Sequence, residues 1–154
     1  MKQAEPKLDL APGCSLSLVE ISEPRNNDLH IVVAEVGPSA HEEMTQLGLA
    51  RRVGPFEGSR TFELTWYCYV AYSIRNESYV IGEPDSPDLR ERAETAFGAF
   101  VKATTFASDE YPGPLTHWSL YTNWHSIDVI SVDPPEIRQL DSTDATPGTA
   151  KRHH

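Results

Sequence analysis

The chain has 154 residues and a mass of 17.2 kDa, which sets an expectation of one domain. Leu, Ile, Val and Phe make up about 22% of it, just above the range that predicts disorder, so one modest core is within reach. Lys and Arg number 13 against 23 Asp and Glu, a net charge of −10, and that balance repels phosphate backbones and anionic lipid. Nucleic acid and membrane surfaces are therefore excluded as default partners.

The ends and the cysteines narrow the class further. No stretch approaches the roughly 18–20 apolar residues of a membrane helix. Residues 1–9 mix charged and polar side chains around Pro6, without the apolar region of a secretory signal. Cys14 and Cys68 show no metal or redox spacing and read as a reduced, buried pair. Together these features give a cytoplasmic expectation.

In chain order, residues 15–21 (SLSLVEI) and 29–36 (LHIVVAEV) read as an antiparallel strand pair, joined through the turn chemistry of residues 24–28 (PRNND). A shorter helix is expected over 39–52. Glu42 and Glu43 stand in its first turn and Arg51 and Arg52 near its end, with Gly54-Pro55 as the stop. Residues 61–81 form the longest β-like run. Phe62, Leu64, Trp66, Cys68, Val70, Tyr72 and Ile74 share one parity and read as its core face. As one strand the run would reach about 70 Å, so it must bend near Trp66-Tyr67 or turn at Arg75–Ser78.

A long helix is expected over 86–104, with Ser86 as N-cap, Pro87 in the first turn and apolar residues from Leu89 to Val101 at helical spacing. Residues 115–121 (LTHWSLY) and 126–132 (SIDVISV) read as a hairpin around residues 122–125. From residue 133 onward Pro134-Pro135 and a polar composition predict a mostly disordered tail over 133–154. The tail carries a net charge of only −1, which leaves about −9 on the ordered part. The reading as a whole is a single α+β domain over residues 1–132. It has a mainly antiparallel sheet of about six or seven strands, with the helices 86–104 and 39–52 packed on it.

Candidate chemistry is densest between Phe106 and Asp128, where two of the three tryptophans and two of the six histidines fall. His117 or His125 is the expected acid or base, oriented by Glu110 or Asp128, because a carboxylate beside an imidazole fixes its tautomer. Arg75 lies in an otherwise apolar-aromatic stretch and is the candidate for binding a charged substrate group. Tyr72, Tyr111, Trp118, Tyr121 and Trp124 are the expected pocket walls, and in an acidic protein such walls favour a cation.

No motif names a reaction. The stretch His41-Glu42-Glu43-Met44-Thr45 fails as a zinc motif because Thr45 stands where the second histidine belongs. Glycine-rich nucleotide loops and the GxSxG nucleophile turn are missing from the sequence. No cofactor and no metal are expected, since the spacing of His117 and His125 matches no standard site.

Two readings remain. One is a small-molecule pocket protein working as a cofactor-independent acid/base enzyme of isomerase, cyclase or lyase type. Its substrate would be a small aromatic, apolar or cationic compound, with a homodimer allowed. The other is an acidic interaction module, of inhibitor or immunity type, for a basic protein partner.

Overall fold

A computed structural model describes residues 8, 10, 13–37, 60–80, 89–106, 110 and 113–140. Its first sheet begins with β1 (Ser15–Arg25) and β2 (Asp28–Val36), paired antiparallel. The turn between them places Asn27 at φ 70°, a left-handed conformation that Asn tolerates through its short polar side chain. Next comes β3 (Thr61–Trp66), antiparallel to β2, with Ile31 opposite Leu64 and Val33 opposite Phe62. The last strand, β8 (Glu136–Leu140), closes this sheet against β3.

The second sheet is built from β4 (Ala71–Asn76), β5 (Leu89–Arg92), β6 (Thr116–Tyr121) and β7 (His125–Ser131). Its strand order is β4-β7-β6-β5, and that of the first sheet is β1-β2-β3-β8. One α-helix, α1 (Ala96–Thr104), is present among the described residues, beside a single 3₁₀ turn at Glu77–Tyr79. The architecture is thus mostly antiparallel, with eight strands in two sheets among the described residues rather than six or seven in one.

Period-two alternation explains the core between the sheets. Leu29, Ile31 and Val33 on β2 and Phe62, Leu64 and Trp66 on β3 pack against Trp118, Leu120, Ile127 and Val129 of the second sheet. Trp66, Leu64 and Ile127 are fully buried. Both expected hairpins, β1–β2 and β6–β7, are formed.

Several expectations need correction, although the long run 61–81 does break beside Trp66-Tyr67, at residues 67–70, where the chain leaves the first sheet for the second. Cys68 adopts φ 53° there, and its N–H donates to Asp28 Oδ1 at 3.0 Å. The Tyr69 N–H donates to the Asn27 carbonyl, so the crossover is pinned against the β1–β2 turn. Cys68 is accordingly exposed rather than buried, and Ile74 is exposed as well. Both cysteines are free thiols.

Over residues 89–104 the expected helix is a strand followed by a shorter helix, and residues 86–88 lie outside the described residues. Leu89 packs inward and Arg90 and Glu91 stay exposed, which suits an edge strand paired with β6. Thr95, not Ser86, is the N-cap of α1, and its hydroxyl accepts from the Gly98 N–H. The stretch 133–154 is not tail throughout, because β8 lies inside it and Leu140 is buried. The helix expected over 39–52 and residues 141–154 lie outside the described residues. No helix among the described residues is long and apolar enough to cross a membrane.

Candidate functional site

The outer face of the second sheet carries the polar parity. His117, Ser119 and Tyr121 alternate along β6 with the inward Trp118 and Leu120. Across β7 the same face carries Ser126, Asp128 and Ile130, and across β4 it carries Ser73 and Arg75. Helix α1 covers this face. The Phe97 ring meets the His117 imidazole edge-on with centroids 5.7 Å apart, and Gly98 stands over Ile130.

Register then assembles the site. Asp128 lies directly opposite Ser119 on β6 and Ser73 on β4, while His117 and Arg75 are its diagonal neighbours. Diagonal pairs on one face are within reach of long side chains. His117 Nε2 is 2.6 Å from Asp128 Oδ1, and the Ser119 hydroxyl donates to the same oxygen at 3.2 Å. Arg75 donates to Asp128 Oδ2 at 3.0 Å. On its other side the His117 ring places Nδ1 2.6 Å from Thr95 Oγ1. Both His117 and Asp128 are buried.

The electrostatics of Asp128 reflect two opposed effects. Burial pushes its carboxyl pKa up, but hydrogen bonding and charge from His117, and then from Arg75, outweigh that and hold it below the ordinary carboxylate value. Asp128 is therefore a carboxylate that accepts from all three neighbours. An acceptor-only carboxylate requires the proton of His117 to sit on Nε2. Nδ1 faces Thr95, whose oxygen accepts from Gly98 N–H at 2.9 Å. Hydroxyl, imidazole and carboxylate thus stand in one hydrogen-bonded chain.

Two cavities meet at this point. One, of about 390 Å³, is bounded by Ser73, Arg75, Phe97, Ser119, Tyr121 and Asp128, among others. The other, of about 500 Å³, runs along α1 past Glu91, Gly98, Lys102, Leu115 and Ile130. Arg92, Thr95 and His117 line both.

Of the residues singled out in the sequence, His117, Asp128, Arg75 and Tyr121 are brought together here. His125 is not: it sits at the other end of the hairpin, on the opposite face of β7 from Asp128, and lines another cavity of about 530 Å³ with Trp124, Ile74 and Asn76, which shares only Arg75 with the smaller site cavity. Trp118 and Tyr72 belong to the packing between the sheets, Trp118 within the core and Tyr72 half-buried against it. Glu110 lies in an exposed turn and is not among the residues lining these cavities. Tyr111 lies outside the described residues.

Thr95, Ser119, Ser73, Phe97 and Arg92 were missed in the sequence. The alternation His117-Ser119-Tyr121 beside Trp118-Leu120 was the available pointer to Ser119. A threonine three residues before a glycine at the head of an apolar period was the pointer to Thr95. Among the described residues no three metal-ligating side chains stand together. The chain matches no protein-family model, no curated protein and no solved structure.

Proposed function

We propose that this chain is a small-molecule pocket protein acting as a cofactor-independent acid/base enzyme, with His117 as the proton-transferring group and Asp128 as the residue that positions it. The reading is carried by one observation: a buried imidazole bound through Nε2 to a buried carboxylate, with its Nδ1 lone pair directed to the rim of two cavities. Arg75 and Ser119 hold the carboxylate, so the pair is preorganised before substrate arrives.

The lining adjusts the expected substrate. Arg75 and Arg92 stand in the smaller cavity with Asp128, which already accepts from Arg75. That setting favours a carbonyl or carboxyl group over a cation, and Phe97 and Tyr121 add a flat apolar flank.

The test is turnover of a panel of chromogenic esters, lactones and enolisable ketones by the full chain and by His117→Gln. A positioned acid/base group contributes about 10²–10⁴-fold, so the variant is expected to fold normally and lose at least about 100-fold. Undiminished turnover in a folded His117→Gln protein, or no turnover of any panel member by the unaltered chain, counts against the reading.

A further inference from the structure

We infer that Thr95 is a nucleophile, and that Thr95, His117 and Asp128 form a hydroxyl–imidazole–carboxylate chain for acyl transfer from a small ester. This rests on the acid/base reading above and adds a covalent step to it. A threonine that serves only as an N-cap needs its oxygen to accept from the third amide of the helix, and Thr95 does this with Gly98. Nothing in that role calls for an imidazole. Here the hydroxyl oxygen also lies 2.6 Å from Nδ1 of a buried histidine whose other nitrogen is held by a buried carboxylate. The amide bond from Gly98 also stabilises negative charge on the oxygen as it loses that proton.

The cavities fit a substrate that lies across the hydroxyl. Thr95 is on the boundary of both, so a carbonyl carbon at Thr95 leaves one cavity for the acyl half and the other for the alcohol half. The first amides of a helix have no acceptor within it. With Gly98 N–H on the Thr95 hydroxyl and Ala99 N–H on the Thr95 carbonyl, the N–H groups of Ala96 and Phe97 are the helix's remaining first-turn donors, next to where a carbonyl oxygen gains charge.

The reaction balances without a redox partner. Thr95 Oγ bonds to the carbonyl carbon, its proton passes to His117 Nδ1, and the carbonyl π pair moves onto oxygen. When C=O re-forms, the bond to the leaving alcohol breaks and that oxygen takes the proton from Nδ1. Water then attacks the acyl-threonine, gives its proton to Nδ1, and the threonine oxygen recovers it as the acid departs. Asp128 acts through His117 as a positioning residue and touches no reacting atom.

The experiment treats the full chain with p-nitrophenyl acetate and, separately, with a fluorophosphonate, and locates any adduct by peptide mass mapping. The expected result is a single adduct on Thr95, with Thr95→Ser within about tenfold of the unaltered chain. Thr95→Asn keeps the helix cap, and it is expected to lose the adduct and at least about 10³-fold in turnover. An adduct on His117, or no adduct with either reagent, overturns the inference. So does undiminished turnover in Thr95→Asn. If Thr95→Asn retains turnover that His117→Gln loses, only the covalent step falls; if both retain it, the acid/base reading falls too.

Discussion

His117 and Asp128 occupy diagonal positions on neighbouring strands, and the 2.6 Å contact between Nε2 and Oδ1 links the helix cap Thr95 to Arg75 on β4. Its contribution depends on pH with a definite sign. Asp128 has a folded pKa below its ordinary value of about 3.9. The stabilisation is complete above that ordinary value and is lost as pH falls through it towards the lower folded one. Replacing Asp128 with Asn removes hydrogen bonds to a charged acceptor. The Arg75 side chain is 54% exposed, so solvent takes up its charge when the carboxylate is lost. The expected cost is about 1.5–3 kcal/mol near neutrality, shrinking in acid. Urea denaturation at pH 7 and at pH 3 measures both, and an undiminished difference at pH 3 contradicts the assignment.

The proton of His117 is open to direct observation. Long-range nitrogen–proton NMR spectra distinguish a protonated ring nitrogen from a bare one, and the unaltered chain is expected to carry its proton on Nε2 near neutral pH. Asp128→Asn is expected to shift that population, because an amide offers the ring a donor as well as an acceptor. A majority of the Nδ1-protonated form in the unaltered chain would remove the directed hydroxyl.

Tyr69 supplies a prediction at the other end of the pH scale. Burial, followed by the hydrogen bond and charge of Glu23, pushes its phenol up to about 12, and its hydroxyl donates to Glu23 Oε1 at 2.9 Å. The protonated phenol is the favoured form, so this contribution is present below the ordinary tyrosine value of about 10 and is lost as pH rises through the folded one. Ultraviolet titration is expected to show one tyrosine ionising after the rest, and Glu23→Gln to bring it down. A Tyr69→Phe protein with an unchanged titration curve would show that another tyrosine is responsible.

The crossover between the sheets offers a test of backbone strain. Cys68 holds φ 53° and is exposed. An L-residue in the left-handed region pays roughly 1–2 kcal/mol and glycine does not; glycine's greater unfolded freedom takes back about 0.5–1 kcal/mol. Cys68→Gly is expected to raise the denaturation midpoint slightly, by about 0.5–1 kcal/mol in stability, whereas the β-branched Cys68→Val lowers it. Cys68 is also expected to react with a thiol reagent ahead of the less exposed Cys14.

Both hairpins were legible because their turns are short and their apolar residues alternate, and His117, Asp128 and Arg75 were legible as polar groups in apolar company. The helix over 86–104 was misread because Leu89 fits the phase of Phe97 and Val101, and periodicity alone cannot see that Leu89 is one inward residue of an edge strand. An unbroken helix over 86–104 puts Thr95 at its middle, whereas Thr95 caps the start of α1. Density along the chain points to His125 and Trp118. Density ignores parity, and in a strand the next residue points the other way. The partnership of two four-stranded sheets depends on the crossover at Cys68, whose left-handed backbone has no compositional marker.

Strand β7 is hydrogen-bonded on both sides, by β4 and β6, while Thr95 caps a helix of only nine residues. Amide hydrogen exchange divides such a structure by depth. The amide protons of β7 around Asp128 are expected to stay protected up to global unfolding, and those at the head of the helix to exchange through local fraying. On that expectation the hydroxyl sits on a part that opens before the strands that hold the imidazole and carboxylate. Reagents, inhibitors and proteases that probe the opened helix will meet an otherwise intact fold.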